Sequence, residues 1–146
     1  MDIRRLTPDY AVSPQIAPPD VALLRAEGFT TVICNRPDAE IPGPLHADRM
    51  RKLVEAEGME FVLNPVISGG LTEANVATQR DAIAAAKGPV FAYCASGNRS
   101  SIVWALSQAG TATTNDLIAA AARFGYQLEG YRSQLDALAA ARAGAA

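Results

Sequence analysis

Four short runs rich in β-branched and aromatic residues, each followed by a stretch of helical character, restrict this chain to an α/β architecture. The runs are YAVSPQI (residues 10–16), FTTVICN (29–35), EFVLNPV (60–66) and PVFAYC (89–94), and each has the length and composition of a strand. Between them lie PPDVALLRAEG (18–28), HADRMRKLVEAEG (46–58) and LTEANVATQRDAIAAAKG (71–88), the last with Thr72 as N-cap and each closed by a glycine. Apolar strands separated by helices pair in parallel with both faces covered, joined by right-handed crossovers. The pattern therefore predicts a central, mostly parallel sheet of four to five strands flanked by helices. After Cys94 the chain reads as helical throughout: residues 99–108, then TTNDLIAAAARFG (113–125) capped by Thr113 or Thr114, then LEGYRSQLDALAAARAG (128–144). The alanine-rich end is expected to fray. A length of 146 residues without repeat or linker fits a single domain, residues 1–146.

Composition narrows the function more than the fold. A net charge of −2 offers no basic surface for nucleic acid. No apolar run approaches the ~20 residues of a membrane helix, and MDIRRLTPDY lacks the apolar middle of a signal peptide, so a soluble, cytoplasmic protein without a membrane partner is expected. Cys34 and Cys94 then read as reduced thiols, and the one histidine, His46, speaks against a multi-histidine metal site. No cofactor is implied.

The junction YCASGNRS carries the chemistry. Cys94 ends a strand, and a helix begins at Arg99 or Ser100. A lone cysteine at a strand end is ordinarily a small buried hydrophobe. Here a glycine, a guanidinium and a hydroxyl follow within six residues, which packing does not require. The backbone N–H groups of Ala95, Ser96, Gly97 and Asn98 are placed to cradle an anion at a helix start. That field and the Arg99 guanidinium favour the reactive thiolate form of Cys94, and the Ser100 hydroxyl is in place to orient the sulfur.

YCASGNRS resembles the Cys-x-x-Gly-x-Arg-Ser loop of rhodanese-type sulfurtransferases, and the Cys-x5-Arg loop of cysteine-dependent phosphatases with one residue removed. Together with TVICNRPDAE, NPVISGGLTEANV and DLIAAAARFGYQLEG, it is similar to the phosphatase-like domain of beta-lactamase hydrolase-like proteins. That resemblance implies a dual-specificity-phosphatase-like fold and either sulfurtransferase or phosphatase activity. Two departures from the phosphatase pattern matter. The loop from Cys94 to Arg99 is one residue short, and the loop that carries the general acid in those phosphatases, here PVISGG, holds no aspartate. Ser68 in that loop is a poor proton donor.

Asp38 in NRPDAE is the candidate substitute, since loops after adjacent parallel strands open at one sheet edge; the same RPD also reads as an ordinary proline turn. Sulfur transfer through a Cys94 persulfide, from a small sulfane-sulfur donor to a thiol acceptor, needs no acid. It is the favoured reading, ahead of hydrolysis of a phosphorylated substrate and of a non-catalytic anion-binding or redox-sensing module. Cys34 is a candidate resolving thiol or a plain core residue, and Arg36 a candidate positive charge at the mouth of the site. His46 is expected to be exposed or capping, and Trp104 to belong to the core.

Overall fold

In the computed structural model, which describes residues 1–145, five strands form one sheet in the order β1-β2-β5-β3-β4. The strands are β1 (Arg4–Thr7), β2 (Tyr10–Ser13), β3 (Thr31–Cys34), β4 (Glu60–Leu63) and β5 (Val90–Tyr93). All pairings are parallel except β1 with β2. The helices are α1 (Asp20–Ala26), α2 (Ala47–Ala56), α3 (Glu73–Ala85), α4 (Asn98–Gln108), α5 (Thr114–Ala122) and α6 (Arg132–Ala145). The helical character of the chain after Cys94 is as expected. Helix α6 runs to Ala145; Ala146, at the end expected to fray, lies outside the described residues.

Two apolar layers sandwich the sheet. On one face Val21 and Leu24 of α1 and Met50 and Val54 of α2 pack with Val32, Cys34, Phe91 and Tyr93. On the other, Val12, Ile33 and Ala92 meet Val103 and Leu106 of α4, Leu117 of α5 and Leu135 of α6. Tyr10 stacks on Trp104 with ring centroids 5.5 Å apart, a core role for that tryptophan as expected. Helix starts follow local chemistry. Thr72 accepts the Asn75 N–H while the Asn75 side chain returns to the Thr72 N–H, a reciprocal capping box, and Thr113 accepts the Asp116 N–H.

Two strands depart from the sequence pattern. β1, read from RRLT, buries only Leu6 and survives because β2 satisfies its backbone in an antiparallel pair. β4 is not covered on both faces: Glu60 and Leu63 are exposed, as suits an edge strand. Among the described residues no helix is long and apolar enough to cross a membrane.

Candidate active site

The parallel strands end level with one another. Ser13 and Cys34 both lie in register with Tyr93, and Cys34 with Leu63. The segments starting at Pro14, Asn35, Asn64 and Cys94 therefore leave the sheet at one edge, the carboxyl edge where open parallel sheets bind ligands.

Cys94 follows β5 directly and is buried, and its Sγ accepts the Gly97 N–H at 3.1 Å. Gly97 precedes α4 with φ +93°, a left-handed conformation, and a Cβ there would collide with the Tyr126 hydroxyl. That hydroxyl donates to the Ser96 carbonyl at 2.8 Å and accepts from Arg4 Nη1 at 2.6 Å, so the loop is braced from behind. The Asn98 N–H goes to Ser96 Oγ at 3.3 Å. The N–H groups of Arg99 and Ser100, in the first turn, have no acceptor within the helix and remain directed toward its open end. Ala95, Ser96 and Asn98 are exposed while Gly97 is buried, so the loop forms a rim around a buried thiol.

Arg99 is gripped from outside the loop. Its Nη1 and Nη2 bond to Oε2 and Oε1 of Glu40, each at 2.8 Å, and Nη1 also reaches the Val66 carbonyl at 2.7 Å. Glu40 in turn lies 3.2 Å from Arg36 Nε, and Arg36 Nη1 reaches Gln15 Oε1 at 3.4 Å. The hydrogen bonds from Arg99 hold the Glu40 carboxyl below the usual carboxylate range, against a smaller opposing effect of burial, and Arg36 adds to the lowering. Glu40 is thus a carboxylate at neutral pH and has no proton to give. Its bonds also raise the Arg99 pKa, to which the neighbouring Cys94 contributes. Beside Arg99 opens a groove of about 220 Å³ lined by Val66, Ile67, Leu71, Ile102 and Tyr131.

Several expectations need correction. Ser100 does not bond to the sulfur: α4 turns its hydroxyl into the interior, where it donates to Asn35 Oδ1 at 2.9 Å. Asp38 is committed elsewhere, since its Oδ1 accepts the Ala47 N–H at 2.8 Å and so caps α2. His46 agrees with expectation: it holds the N-cap position of that helix with a partly exposed side chain, and its ring bonds the Ile41 carbonyl. Cys34 lies level with Tyr93, in the layer under α1 and α2, and its thiol donates to the Arg36 carbonyl at 3.4 Å while burial pushes its pKa up. It is thus a free, buried thiol in the core layer. Arg36 does stand near the site, but spends its charge on Glu40.

Sequence reading missed Glu40, the last residue of NRPDAE, and a buried polar layer beneath the loop. In that layer Asn35 Nδ2 and Asn64 Nδ2 donate to Gln79 Oε1 at 2.9 and 2.8 Å, and Gln79 Nε2 donates to the Tyr10 hydroxyl at 2.9 Å. Tyr10 passes the chain on to the Ser100 carbonyl at 2.9 Å. The signal was an asparagine directly after each of two strands. Gln79→Leu removes the hub and leaves buried amide and hydroxyl groups unpaired, so a loss of about 2 kcal/mol or more in urea unfolding is expected. An unchanged midpoint would show that the layer adds nothing to stability.

Comparison with known proteins agrees with this geometry. The family model of the beta-lactamase hydrolase-like protein, phosphatase-like domain, matches residues 2–111. A beta-lactamase hydrolase-like protein of Agrobacterium fabrum (strain C58) is 37% identical over 105 residues, which are 72% of this chain but 23% of that protein. The chain thus spans about a quarter of that relative's length. Among solved structures, the nma1982 protein of Neisseria meningitidis z2491, a phosphatase candidate by name, superposes with TM-score 0.79 at 31% identity, covering 94% of this chain and 99% of that one. A cysteine-to-serine variant of P. aeruginosa TpbA in complex with pTyr shares the fold, with TM-score 0.67 at 19% identity over 97% of this chain and 90% of that one. The fold is that of the dual-specificity and tyrosine phosphatases. By the match across most of its length, the chain belongs to the family of phosphatase-like domains of beta-lactamase hydrolase-like proteins.

Proposed function

We propose that the chain is a cysteine-dependent hydrolase of phosphate esters with good leaving groups, with Cys94 as the nucleophile. The observation that carries this reading is a buried thiol that accepts a loop N–H while a guanidinium is held beside it at a helix start. A planar fork of N–H donors suits a group with two or more oxygens, as a phosphoryl group has and a sulfane sulfur does not need. The pTyr complex of the TpbA variant points the same way, and the groove beside Arg99, with Ile67, Leu71 and Ile102 in its wall, offers room for the body of an aryl ester. In this scheme the Cys94 thiolate attacks phosphorus and the ester oxygen departs with the P–O bonding pair. The S–P bond of the phosphocysteine is then cleaved by water, releasing inorganic phosphate and the thiolate.

Sulfur transfer remains the second reading because, among the described residues, the carboxylates of the site loops are engaged elsewhere. Asp38 caps α2, Glu40 is ionised against Arg99, and the loop is one residue short. Under the phosphatase reading the same facts make the leaving group decisive. A general acid contributes a factor of roughly 10² to 10⁴, most of all for poor leaving groups. Rates on a series from nitrophenyl through phenyl to alkyl phosphate are therefore expected to fall by more than about a hundredfold. A flat series would reveal an acid that this account lacks. Faster sulfur transfer from thiosulfate to cyanide than hydrolysis of nitrophenyl phosphate would put the second reading first.

A further inference from the structure

The groove beside Arg99 does not stop at the cysteine loop. Leu71 and Gln134 stand in its wall, and the same two residues line a second groove of about 360 Å³ between α3 and α6. The two grooves thus adjoin, as one track that leads from Arg99 along both helices. On α3 the lining runs from Leu71 and Glu73 through Val76 to Arg80, about 10 Å further along the helix than Glu73. On α6 it runs in the same sense, from Gln134 at the junction to Leu138 and then Arg142, each one turn on. The far end of the track therefore carries two arginines, one from each wall.

Neither arginine forms an ion pair among the described residues. Arg142 is nevertheless held in place. Its Nη1 donates to the carbonyls of Leu106 and Ala109, each at 2.8 Å, at the C-terminal end of α4, and its Nε–H and Nη2 pair have no acceptor among the described residues. Arg80 is exposed, and its charge, after the larger effect of burial, lowers the pKa of Arg142, so the two cations oppose each other. The acids of the same wall leave that opposition in place: Asp81 follows Arg80 directly, where helix residues do not face each other, and Glu73 borders the other end. We propose that the far end of the track is a second oxyanion subsite, so that the preferred ligand is a soluble phosphate ester with an extended body and a second anionic group. This rests on the reading of Arg99 as the holder of an oxyanion. An anion between Arg80 and Arg142 relieves their repulsion and takes charge-assisted hydrogen bonds from both. Joined to a group already held at Arg99, it binds at a high effective concentration. A membrane surface suits the chain less well, since a net charge of −2 gives it no basic face.

The test uses calorimetry on the full chain with butane, octane and decane carrying a phosphonate at both ends, beside the same alkanes with a single phosphonate. Wild type, Arg80→Ala, Arg80→Glu and Arg99→Ala are titrated, with melting curves and nitrophenyl phosphate kinetics alongside. At least one of the longer diphosphonates is expected to bind wild type about tenfold or more tightly than its monophosphonate. Butane is too short to reach and gives no such gain. Arg80→Ala loses the gain and Arg80→Glu reverses it, while both keep the monophosphonate affinity, nitrophenyl phosphate kinetics and melting of wild type. Arg99→Ala weakens the binding of both kinds of phosphonate. Equal affinity for the two kinds at every length, a gain retained by Arg80→Glu, or diphosphonate binding undiminished in Arg99→Ala overturns the subsite; hydrolysis of nitrophenyl phosphate then still supports the proposed chemistry. A gain that depends on Arg80 in a protein that hydrolyses no phosphate ester keeps the subsite and removes the phosphatase reading. If no phosphonate binds any form, both fall. Sedimentation with vesicles of anionic phospholipid that is lost in Arg80→Glu overturns the choice of a soluble ligand.

Discussion

A Cys94→Ser protein is expected to fold as wild type and to lose at least about a thousandfold in turnover of aryl phosphates. The hydroxyl takes nearly the same space as the thiol and can accept the Gly97 N–H in its place. It is not ionised at neutral pH, and the carboxylate bonded to the loop arginine, Glu40, is engaged by Arg99 and Arg36 and does not serve as its base. Circular dichroism and melting temperature report the fold, and initial rates the chemistry. A folded Cys94→Ser protein that keeps more than about a tenth of the rate would remove Cys94 from the role of nucleophile.

Arg99→Lys is the second large effect, with a loss of about a hundredfold or more in kcat/KM. Lysine keeps one positive charge but places it at a point. Its ammonium cannot span both oxygens of Glu40, reach the Val66 carbonyl and still offer two donors to a substrate, as the guanidinium does. A retained rate would show that diffuse positive charge suffices here and that the fork has no directional role.

The strand and helix alternation was legible because burial and periodicity agree along most of this chain. The strand centres TVIC and VFAY are buried end to end, and Thr72 and Thr113 cap helices where the sequence placed caps. β1 escaped notice because a strand of RRLT draws its support from its neighbour's backbone and not from apolar side chains. In the site, Cys94, Gly97 and Arg99 were found because they are near one another in one loop and their residue types have no packing reason to occur together. Glu40 was passed over in favour of Asp38, two residues away in the same loop. Which carboxylate turns toward the site depends on the 3₁₀ turn at Asp38–Glu40, which sends Asp38 to α2 and Glu40 to Arg99. Ser100 was misassigned for a similar reason: the phase of α4 decides whether its hydroxyl meets the sulfur or Asn35, and loop spacing alone does not fix that phase.

Sulfur transfer led on sequence because the missing acid and short loop bear on chemistry alone. Neither describes what Arg99 is built to hold. Its bidentate tie to Glu40 and the match to a phosphatase-like family shift the balance to phosphorus. The shortage of an acid then becomes a statement about which esters are hydrolysed.

The most direct test is the intact mass of the protein acid-quenched during turnover, with nitrophenyl phosphate in one sample and thiosulfate in another. Phosphoryl transfer predicts that the first sample gains one phosphoryl group, mapped to Cys94 and absent from Cys94→Ser, while the second is unmodified. A gain of one sulfur on Cys94 from thiosulfate, with no adduct from the phosphate ester, would contradict it.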